Sequence, residues 1–323
     1  MAVRQLLEGR RLDQRLKLRE LHVLSAVAEC GSMVKASDQL GMSQPAVSAA
    51  MANLEGALGV RLLDRNPRGV EPTIYAKALL KRGRVAFDEL RQGLRDIEFL
   101  LDPAVGEVRV GCPENLAAGF VPAVIDRLSR LHPRVVVHVV TAQTGTQEFR
   151  ELRERNVDLM LGRLFRTAVD EDIDVEILGK DRFFVVAASH SPWASRRKVS
   201  LTDLIREPWI LNPSDNVVGS YFADVFQRNG LELPARRVVS FSLDVRMHLL
   251  ATGRYLTVLS RTVLQYNSER WSLKRLPIDL RIPEMPIAAF TLKNRTINPV
   301  THLFIERARA LAQMEAAPRP SRA

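Results

Sequence analysis

A chain of 323 residues, of which 46% are hydrophobic and 26% charged, is too long for one ordinary domain and has the balance of a soluble globular protein. This composition excludes a disordered or fibrous chain, and no stretch approaches the roughly 18 uninterrupted apolar residues that a membrane span requires. The formal net charge of +10 favours a polyanionic partner without locating its site, because the excess is spread along the chain.

Residues 1–15 are interpreted as an N-terminal extension. Charged side chains interrupt this segment throughout, so it lacks the apolar region of a secretory signal. Two cysteines, Cys30 and Cys112, cannot form a disulfide framework. We therefore expect a cytoplasmic protein without a membrane partner.

Residues 16–73 have the pattern of short helices separated by tight turns. One face of a first helix carries apolar residues at helical spacing: Leu18, Leu21, Leu24, Val27 and Ala28. Ser32 is placed to cap a second helix, which Gly41 ends. Ser43 is placed to cap a third, with Pro45 in its first turn. Helix, short turn and helix predict a helix-turn-helix at about residues 33–52.

The first residues of the second helix in such a motif contact base edges in the major groove. The candidates for DNA contact there are Ser43, Gln44, Pro45 and Ser48. Glutamine can pair with adenine, and serine can bind bases or phosphates. Three arginines further along are candidates for phosphate contact on a basic wing: Arg61, Arg65 and Arg68. A generic three-helix packing unit is the alternative for so short a motif.

Residues 74–103 are predicted to form a long linker helix. Apolar residues three and four positions apart form a heptad seam in it: Phe87, Leu90, Leu94, Ile97 and Leu101. A helix with a single apolar stripe cannot bury that stripe alone. The seam therefore predicts a dimerisation face, and packing of the helix on its own domain is the alternative.

From residue 107 to about residue 315, predicted strands alternate with predicted helices. The candidate strands are 108–111, 135–141, 157–161, 183–188 and 256–259, and the helical stretches include 116–131 and 146–155. Such alternation predicts parallel sheets covered on both faces, and the length suits two lobes. Residues 316–323, with Pro318 and Pro320, are predicted to be a disordered tail.

Several stretches carry a resemblance to a known family: AVAECGS at 26–32, ASDQL at 36–40, SQPAVS at 43–48 and RNPRGV at 65–70. On these motifs, residues 18–73 resemble the winged helix-turn-helix of LysR-type transcriptional regulators. Three later stretches resemble strand motifs of that family's effector domain: GEVRVG at 106–111, NVDLMLG at 156–162 and ATGRYLTVL at 251–259.

The resemblance implies an α/β protein with an N-terminal all-α winged helix-turn-helix, a long linker helix and an effector domain like a two-lobe periplasmic binding protein. Lobe I would comprise residues 107–178 and 285–315, and lobe II residues 179–284. It also implies a homodimer or homotetramer that binds double-stranded promoter DNA and responds to a small-molecule effector of unknown identity. RNA polymerase is a further candidate partner, and no cofactor is expected.

One departure concerns the recognition helix, where the family often carries Arg or Gln after the second Ser. This chain has Ala49, Ala50 and Ala52 there. We therefore expect Gln44, Ser48 and the wing arginines to carry more of the DNA binding.

An effector is expected where strands end and helices begin in the cleft between the lobes. The candidate effector-binding residues are Glu114, Asn115, Thr144, Thr146 and Phe165. The carboxylate of Glu114 would repel an acidic ligand and suits a hydroxylated one such as a sugar. The local motifs resemble the family branch that regulates sugar-binding-protein or aromatic-acid genes. Helix capping is the alternative role for the polar residues.

Two other classes of protein are alternatives to a regulator. An enzyme has little support, because the six histidines lack metal-ligand spacing and there is neither a nucleophile elbow nor a phosphate-binding glycine loop with lysine. We therefore expect no catalytic residue and no metal. A periplasmic solute-binding protein would need an export signal and no helix-turn-helix. For Cys112, a small buried hydrophobic side chain is expected rather than a redox sensor.

Overall fold

The computed structural model describes residues 16–66, 69–102, 104–142, 149–165 and 169–316. The chain divides into two compact units, one up to Arg91 and the other from Gln92 onward. The N-terminal extension at 1–15 and the tail beyond residue 316 lie outside the described residues. Within the described ranges, none of the helices combines the length and hydrophobicity needed to span a bilayer.

The first unit begins with three helices and a hairpin: α1 (Leu18–Cys30), α2 (Met33–Leu40), α3 (Gln44–Leu58), β1 (Leu63–Asn66) and β2 (Gly69–Pro72). Their caps follow the sequence prediction. Ser32 and Ser43 accept hydrogen bonds from the backbone N–H groups of Lys35 and Ala46, and Gly41 ends α2 in the left-handed conformation. These predicted caps are therefore confirmed.

The antiparallel pair β1–β2 adds a two-stranded wing to the helical domain. The wing is tied to α1 where the Val70 N–H donates to the Gly31 carbonyl at 2.9 Å. Gly69 has φ +136°, and a Cβ atom there would overlap the Gly31 oxygen. Only glycine fits this conformation and this close approach.

Helix α4 (Ile74–Leu101) follows the wing and is 28 residues long. Its buried face changes along its length. Ala76 and Phe87 belong to the three-helix core, and the Phe87 ring lies 5.9 Å from that of His22. Further along, Phe99 packs against the core of the second unit. Phe87, which was predicted to belong to the seam, therefore packs against the core of its own domain instead.

The second unit contains nine further helices or strands in its first half and ten in its second, among the described residues. The first set is β3 (Val105–Cys112), α5 (Glu114–Ala117), α6 (Phe120–Leu131), β4 (Arg134–Thr141), α7 (Arg150–Arg153), β5 (Leu159–Arg163), β6 (Ile173–Asp181), β7 (Phe183–Ala188) and a 3₁₀ turn at Pro192–Ser195. The second set is α8 (Leu201–Leu204), β8 (Trp209–Leu211), α9 (Val217–Arg228), β9 (Arg237–Val239), α10 (Leu243–Ala251), β10 (Leu256–Ser260), α11 (Arg261–Asn267), β11 (Leu273–Arg275), β12 (Met285–Leu292) and α12 (Pro299–Ala316).

These elements build two five-stranded sheets, one in each lobe. Lobe I has the order β4-β3-β5-β12-β6, and lobe II has the order β11-β7-β10-β8-β9. Both sheets are mixed. β12 runs antiparallel to β5 and β6, and β7 runs antiparallel to β10 and β11. The prediction of parallel sheets is wrong at these strands, because the chain crosses between the lobes twice and the crossing strands enter in the opposite direction.

The helical stretch predicted at 116–131 is two helices, α5 and α6, which meet at Gly119. The Tyr266 ring packs so closely there that a Cβ atom would lie 2.6 Å from it. Most of the stretch predicted as a helix at 146–155 is described, and within it the helix is confined to Arg150–Arg153. Residues 143–148, including the candidates Thr144 and Thr146, lie outside the described residues.

A buried polar network attaches the end of α4 to lobe I. The Asp158 carboxylate accepts hydrogen bonds from Arg95 at 3.3 Å, from Arg295 at 2.7 Å and from the Arg109 N–H at 2.8 Å. Arg95 also pairs with Glu107 at 2.6 Å. Burial alone would raise the pKa of Glu107, but its two arginine neighbours lower it below its ordinary value. The carboxylates of Asp158 and Glu107 both pair with Arg95 and therefore hold this part of α4 against the lobe I sheet.

Candidate functional site

The first turn of α3 presents polar groups to solvent. Ser43, Gln44 and Pro45 are exposed, and the first N–H groups of a helix lack partners within the helix. Ser48 differs, since it is half-buried and its hydroxyl lies 3.5 Å from the Met33 sulfur. Gln44 is therefore the most accessible of the predicted base-contacting side chains.

The wing arginines are only partly described. Arg61 is exposed immediately before the wing, and the Arg65 backbone pairs with Val70 inside the hairpin. The Arg65 side chain and all of Arg68 lie outside the described residues. Glu55, which sequence reasoning missed, accepts hydrogen bonds from the N–H groups of Leu62 and Leu63 at 2.7 and 3.3 Å. It therefore fixes the start of the wing to the end of α3.

A cleft of about 80 Å³ lies between the lobes of the second unit, at the carboxyl ends of their parallel strands. We call it the interlobe cleft. Three of the predicted effector residues line it: Glu114, Asn115 and Phe165. The structure adds lining residues that the sequence analysis did not single out, above all Asn212, Arg163 and Arg246.

Glu114 bridges the lobes. Its Oε2 atom accepts a hydrogen bond of 2.6 Å from the N–H of Leu243, at the start of α10. A carboxylate at a helix N-terminus is stabilised by the free N–H groups and the helix dipole. Glu114 therefore caps α10 of the opposite lobe. Its Oε2 atom already accepts a hydrogen bond, so this carboxylate is less available to a ligand than the sequence predicted.

Arg246 is buried in the wall of the cleft. One terminal nitrogen donates to the Ser240 carbonyl at 2.8 Å, whereas Nε has no hydrogen-bond partner in the described part of the chain. Burial lowers the pKa of Arg246 to about 10, and the nearby Glu114 opposes that shift. The Oδ1 atoms of Asn115 and Asn212 are also buried without a partner there. Among the described lining residues, one buried donor and two buried acceptors thus lack a protein partner.

A second arginine, Arg163, joins the two lobes. It donates to Asp181 at 2.6 Å and to the Ser260 hydroxyl at 2.7 Å. Thr262 donates to the same Asp181 carboxylate at 2.6 Å. Burial would raise the pKa of Asp181, but the attraction of Arg163 and the bonds from Thr262 bring it below its ordinary value. This ion pair lies where the chain passes from β6 in lobe I to β7 in lobe II.

Phe165 and Phe183 line the side of the cleft next to Arg163, and Tyr221 packs against Phe165 behind this lining. The Phe165 ring lies 5.5 Å from Tyr221 in an edge-to-face arrangement and 6.4 Å from Phe183. The Arg163 guanidinium lies 5.6 Å from the Phe183 ring centre. Burial raises the pKa of Tyr221, whose hydroxyl has no partner among the described residues. These rings form an apolar wall beside the polar groups.

Two family models match the chain over most of its length. A model described as "LysR substrate binding domain" matches residues 102–313, and one described as "Bacterial regulatory helix-turn-helix protein, lysR family" matches residues 18–77. The chain belongs to the LysR family.

Curated relatives of this LysR-family protein are transcriptional regulators. It is 30% identical to the HTH-type transcriptional regulator GbpR of Azospirillum brasilense over 289 residues, which cover 89% of this chain and 84% of GbpR. It is 26% identical to TdcA of Escherichia coli over 294 residues, which cover 91% of this chain and 92% of TdcA.

Solved structures of the family share the fold. The LysR family transcriptional regulator CbnR matches with a TM-score of 0.65 at 21% identity, covering 92% of this chain and 99% of CbnR. Full-length OxyR of Pseudomonas aeruginosa matches with a TM-score of 0.66 at 19% identity, covering 94% and 99%. The family models and GbpR confirm the predicted family, and the solved structures confirm the fold class. The LysR-family protein is a DNA-binding transcriptional regulator with an effector-binding domain, and not an enzyme.

The cysteines of the regulator are consistent with packing roles. Burial raises the pKa of the Cys112 thiol to about 11, so it stays protonated at neutral pH and is a weak nucleophile. Cys30 is half-buried and donates to the Gln39 side chain at 3.0 Å. No group of three or more His, Cys, Asp or Glu side chains in the described ranges is arranged to hold a metal ion.

Proposed function

We propose that the regulator acts as a homo-oligomer in the cytoplasm, where promoter DNA is available, and that a small polar molecule in the interlobe cleft changes its DNA binding. No bound cofactor is needed in this proposal, since the effector is the only small molecule that the mechanism uses. RNA polymerase is the partner through which bound regulator would act on transcription.

The exposed first turn of α3 carries the DNA-binding part of the proposal. Gln44, with Ser43 and Pro45 beside it, would contact base edges, because residues at this position of a helix-turn-helix reach the major groove. Arg61 and the wing arginines Arg65 and Arg68 would contact phosphates. We assign Ser48 a smaller share, because its hydroxyl lies against Met33.

The exposed part of the α4 seam supports self-association. Leu90, Leu94, Ile97 and Leu101 are exposed, with Leu94 at 68% and Leu101 at 82%. Exposing four apolar side chains on one stripe is unfavourable in water, and a second copy of the helix would cover them. We therefore propose that these four residues form the dimerisation face, without Phe87.

The polar groups of the interlobe cleft support a hydroxylated carboxylate, such as a sugar acid, as the effector class. The unpaired Nε–H of Arg246 needs an acceptor, and a carboxylate is the strongest one. The Oδ1 atoms of Asn115 and Asn212 need donors, which hydroxyl groups would supply. Glu114 is already bonded to Leu243, so it repels an acid less than expected.

Fluorescence anisotropy with two labelled duplexes, the regulator's own upstream region and a scrambled copy, tests the DNA-binding part at two salt concentrations. We expect the native duplex to be preferred by about a thousandfold or more. Equal and steeply salt-dependent binding to both duplexes would contradict sequence-specific recognition.

The effector part is tested by repeating the native-duplex titration with a panel of sugar acids, neutral sugars and aromatic acids. We expect a sugar acid to shift the affinity, and the shift to be lost in Arg246→Met. A response to neutral sugars alone would contradict the role of Arg246, and no response to any class would contradict the effector proposal.

A further inference from the structure

A second concave site lies on lobe II, away from the interlobe cleft. Strands β8, β9 and β10 begin immediately after Pro208, Arg236 and Tyr255, and residues at these strand starts line a cavity of about 390 Å³. The interlobe cleft lies at the other ends of the same strands and shares no lining residue with this cavity. At about 3.3 Å per residue, strands of this length separate the two sites by roughly 10–15 Å.

Three arginines from separate loops line this cavity, which we call the arginine pocket. Arg196 follows the 3₁₀ turn, Arg236 precedes β9, and Arg254 precedes β10. All three are exposed, and no hydrogen-bonded ion pair joins them to another described residue. The Arg254 guanidinium lies 5.7 Å from the Tyr255 ring centre, and Arg196 attracts the nearby Asp203 carboxylate. A guanidinium group without an internal partner keeps its donors free for a carboxylate or phosphate.

The lining of the arginine pocket carries a net positive charge. Glu207 is its one carboxylate among the described lining residues, so the three arginines leave a formal charge of about +2. A dianion would neutralise this charge. The arginines converge on a concavity instead of spreading over a flat face, which favours a small molecule over the backbone of a duplex.

The pocket also has a rigid apolar wall. Trp193 is half-buried and packs against the lobe II core, so its ring is held in place. Gly253, which precedes Arg254, has φ +77° and packs so closely on the His190 ring that a Cβ atom would be 2.6 Å from it. A site that is already ordered loses less entropy when it binds a ligand.

We propose that the arginine pocket binds a small organic dianion, a phosphate monoester or a dicarboxylate, independently of the effector in the interlobe cleft. The guanidinium groups of Arg196, Arg236 and Arg254 bind the charged groups, and the Trp193 ring packs against the organic part. The regulator thereby senses a second class of metabolite.

The test uses the full-length regulator, titrated with a hexose phosphate, succinate, inorganic phosphate and the uncharged hexose. Binding is measured by calorimetry and by tryptophan fluorescence. We expect at least one organic dianion to bind and the uncharged hexose not to bind. Arg236→Ala and Arg254→Ala should each weaken binding about tenfold or more, because each removes charge-assisted hydrogen bonds. Arg197→Ala is the matched control, an exposed neighbour of Arg196 outside the pocket.

Trp193→Phe localises the signal. We expect the dianion to change the fluorescence of the wild type and not that of Trp193→Phe, because Trp209 is buried in the core and Trp271 does not line the pocket. A dianion that binds equally well to Arg254→Ala binds elsewhere and overturns the proposal, as does the absence of binding by every anion. Weaker duplex binding and a lower salt slope in Arg236→Ala and Arg254→Ala, without dianion binding, would mean that the pocket contacts DNA instead.

Discussion

The candidate binding side chains have polar atoms without a hydrogen-bond partner among the described residues. Gln44 is exposed at the first turn of α3, and Arg246, Asn115 and Asn212 keep unbonded polar atoms in the interlobe cleft. Each buried group without a partner costs about 1–3 kcal/mol of stability. Groups of this kind in one cleft support the proposal that a polar ligand binds there.

Replacing Gln44 by Ala should relax the sequence preference of DNA binding. Loss of a bidentate contact to a base is worth about 1–3 kcal/mol of discrimination. The ratio of native to scrambled duplex affinity, measured by anisotropy, should fall by about tenfold or more. Asn53→Ala, which changes an exposed residue further along α3, is the control. An unchanged ratio in Gln44→Ala would exclude base contact by this side chain.

Replacing Arg246 by Met should stabilise the second unit while removing the response to effector. Burial lowers the pKa of Arg246 to about 10, so the guanidinium stays charged at neutral pH but is less well stabilised in the fold than in water. An apolar side chain of similar length should raise the unfolding free energy by about 1–4 kcal/mol, as measured by urea denaturation. Arg228→Met, on the exposed end of α9, should change neither property. A destabilised Arg246→Met would show that the charge is needed structurally.

At the scale of elements, helix α4 contacts two hydrophobic cores, and the crossover from β6 to β7 connects the two lobes. Helix α4 buries Phe87 in one core and Phe99 in another, and between them it exposes Leu90, Leu94 and Ile97. A helix whose buried face changes in this way leaves part of its apolar surface exposed, in agreement with the proposed dimerisation face.

Replacing Leu94 by Glu should separate the proposed dimer into monomers and weaken DNA binding, because a charge would be buried at the centre of the seam. Sedimentation of the purified protein measures the change in mass. Ala78→Glu introduces the same charge at an exposed position of α4 away from the seam and should leave the assembly intact. If Leu94→Glu sediments like the wild type, the seam does not hold the assembly together.

Replacing Asp181 by Asn should destabilise the crossover in a pH-dependent way. Asp181 has a pKa below its ordinary value of 3.8, so its contribution is present above that pH and is lost as the pH falls through the folded-state value. At neutral pH, the unpaired Arg163 should cost about 3–5 kcal/mol in urea denaturation. The difference from the wild type should shrink towards acid pH. Asp224→Asn, on the surface of α9, should show neither effect.

At the scale of the whole molecule, the Asp158 network determines how firmly the end of α4 follows lobe I. Arg95 from α4 and Arg295 from the loop before α12 share this one buried carboxylate. We therefore expect this part of the helix to move together with lobe I. Surface ion pairs elsewhere, such as that of Arg153 with Asp172, are weaker connections because solvent screens them.

Replacing Asp158 by Asn should reduce the effect of the effector on DNA affinity, because Arg95 and Arg295 lose the buried carboxylate that they share. The cost should be about 3–5 kcal/mol of unfolding free energy, against about 0–1 kcal/mol for Asp172→Asn. Urea denaturation and anisotropy with and without effector measure the two quantities. Equal effects of the two substitutions would mean that the network does not couple lobe I to α4.

Local features of the fold could be predicted from the sequence. The caps at Ser32 and Ser43 and the turn at Gly41 depend on residues within a few positions of each other, so their chemistry is visible in the chain. The same holds for the family motifs and for the exposed stripe from Leu90 to Leu101. The family motifs in particular predict the DNA-binding function and the two-lobe fold.

The interlobe cleft depended on the tertiary structure. The bond from Leu243 to Glu114 joins residues 129 positions apart, and β12 enters lobe I from a segment more than a hundred residues beyond β6. In the sequence, Arg246 looks like an ordinary charged residue of α10, and only folding buries it without a partner for Nε among the described residues. The sequence by itself determined the family, the helix-turn-helix and the seam. Only the tertiary structure decided which polar groups meet in the cleft and which remain unpaired, because burial and long-range pairing depend on how distant segments pack.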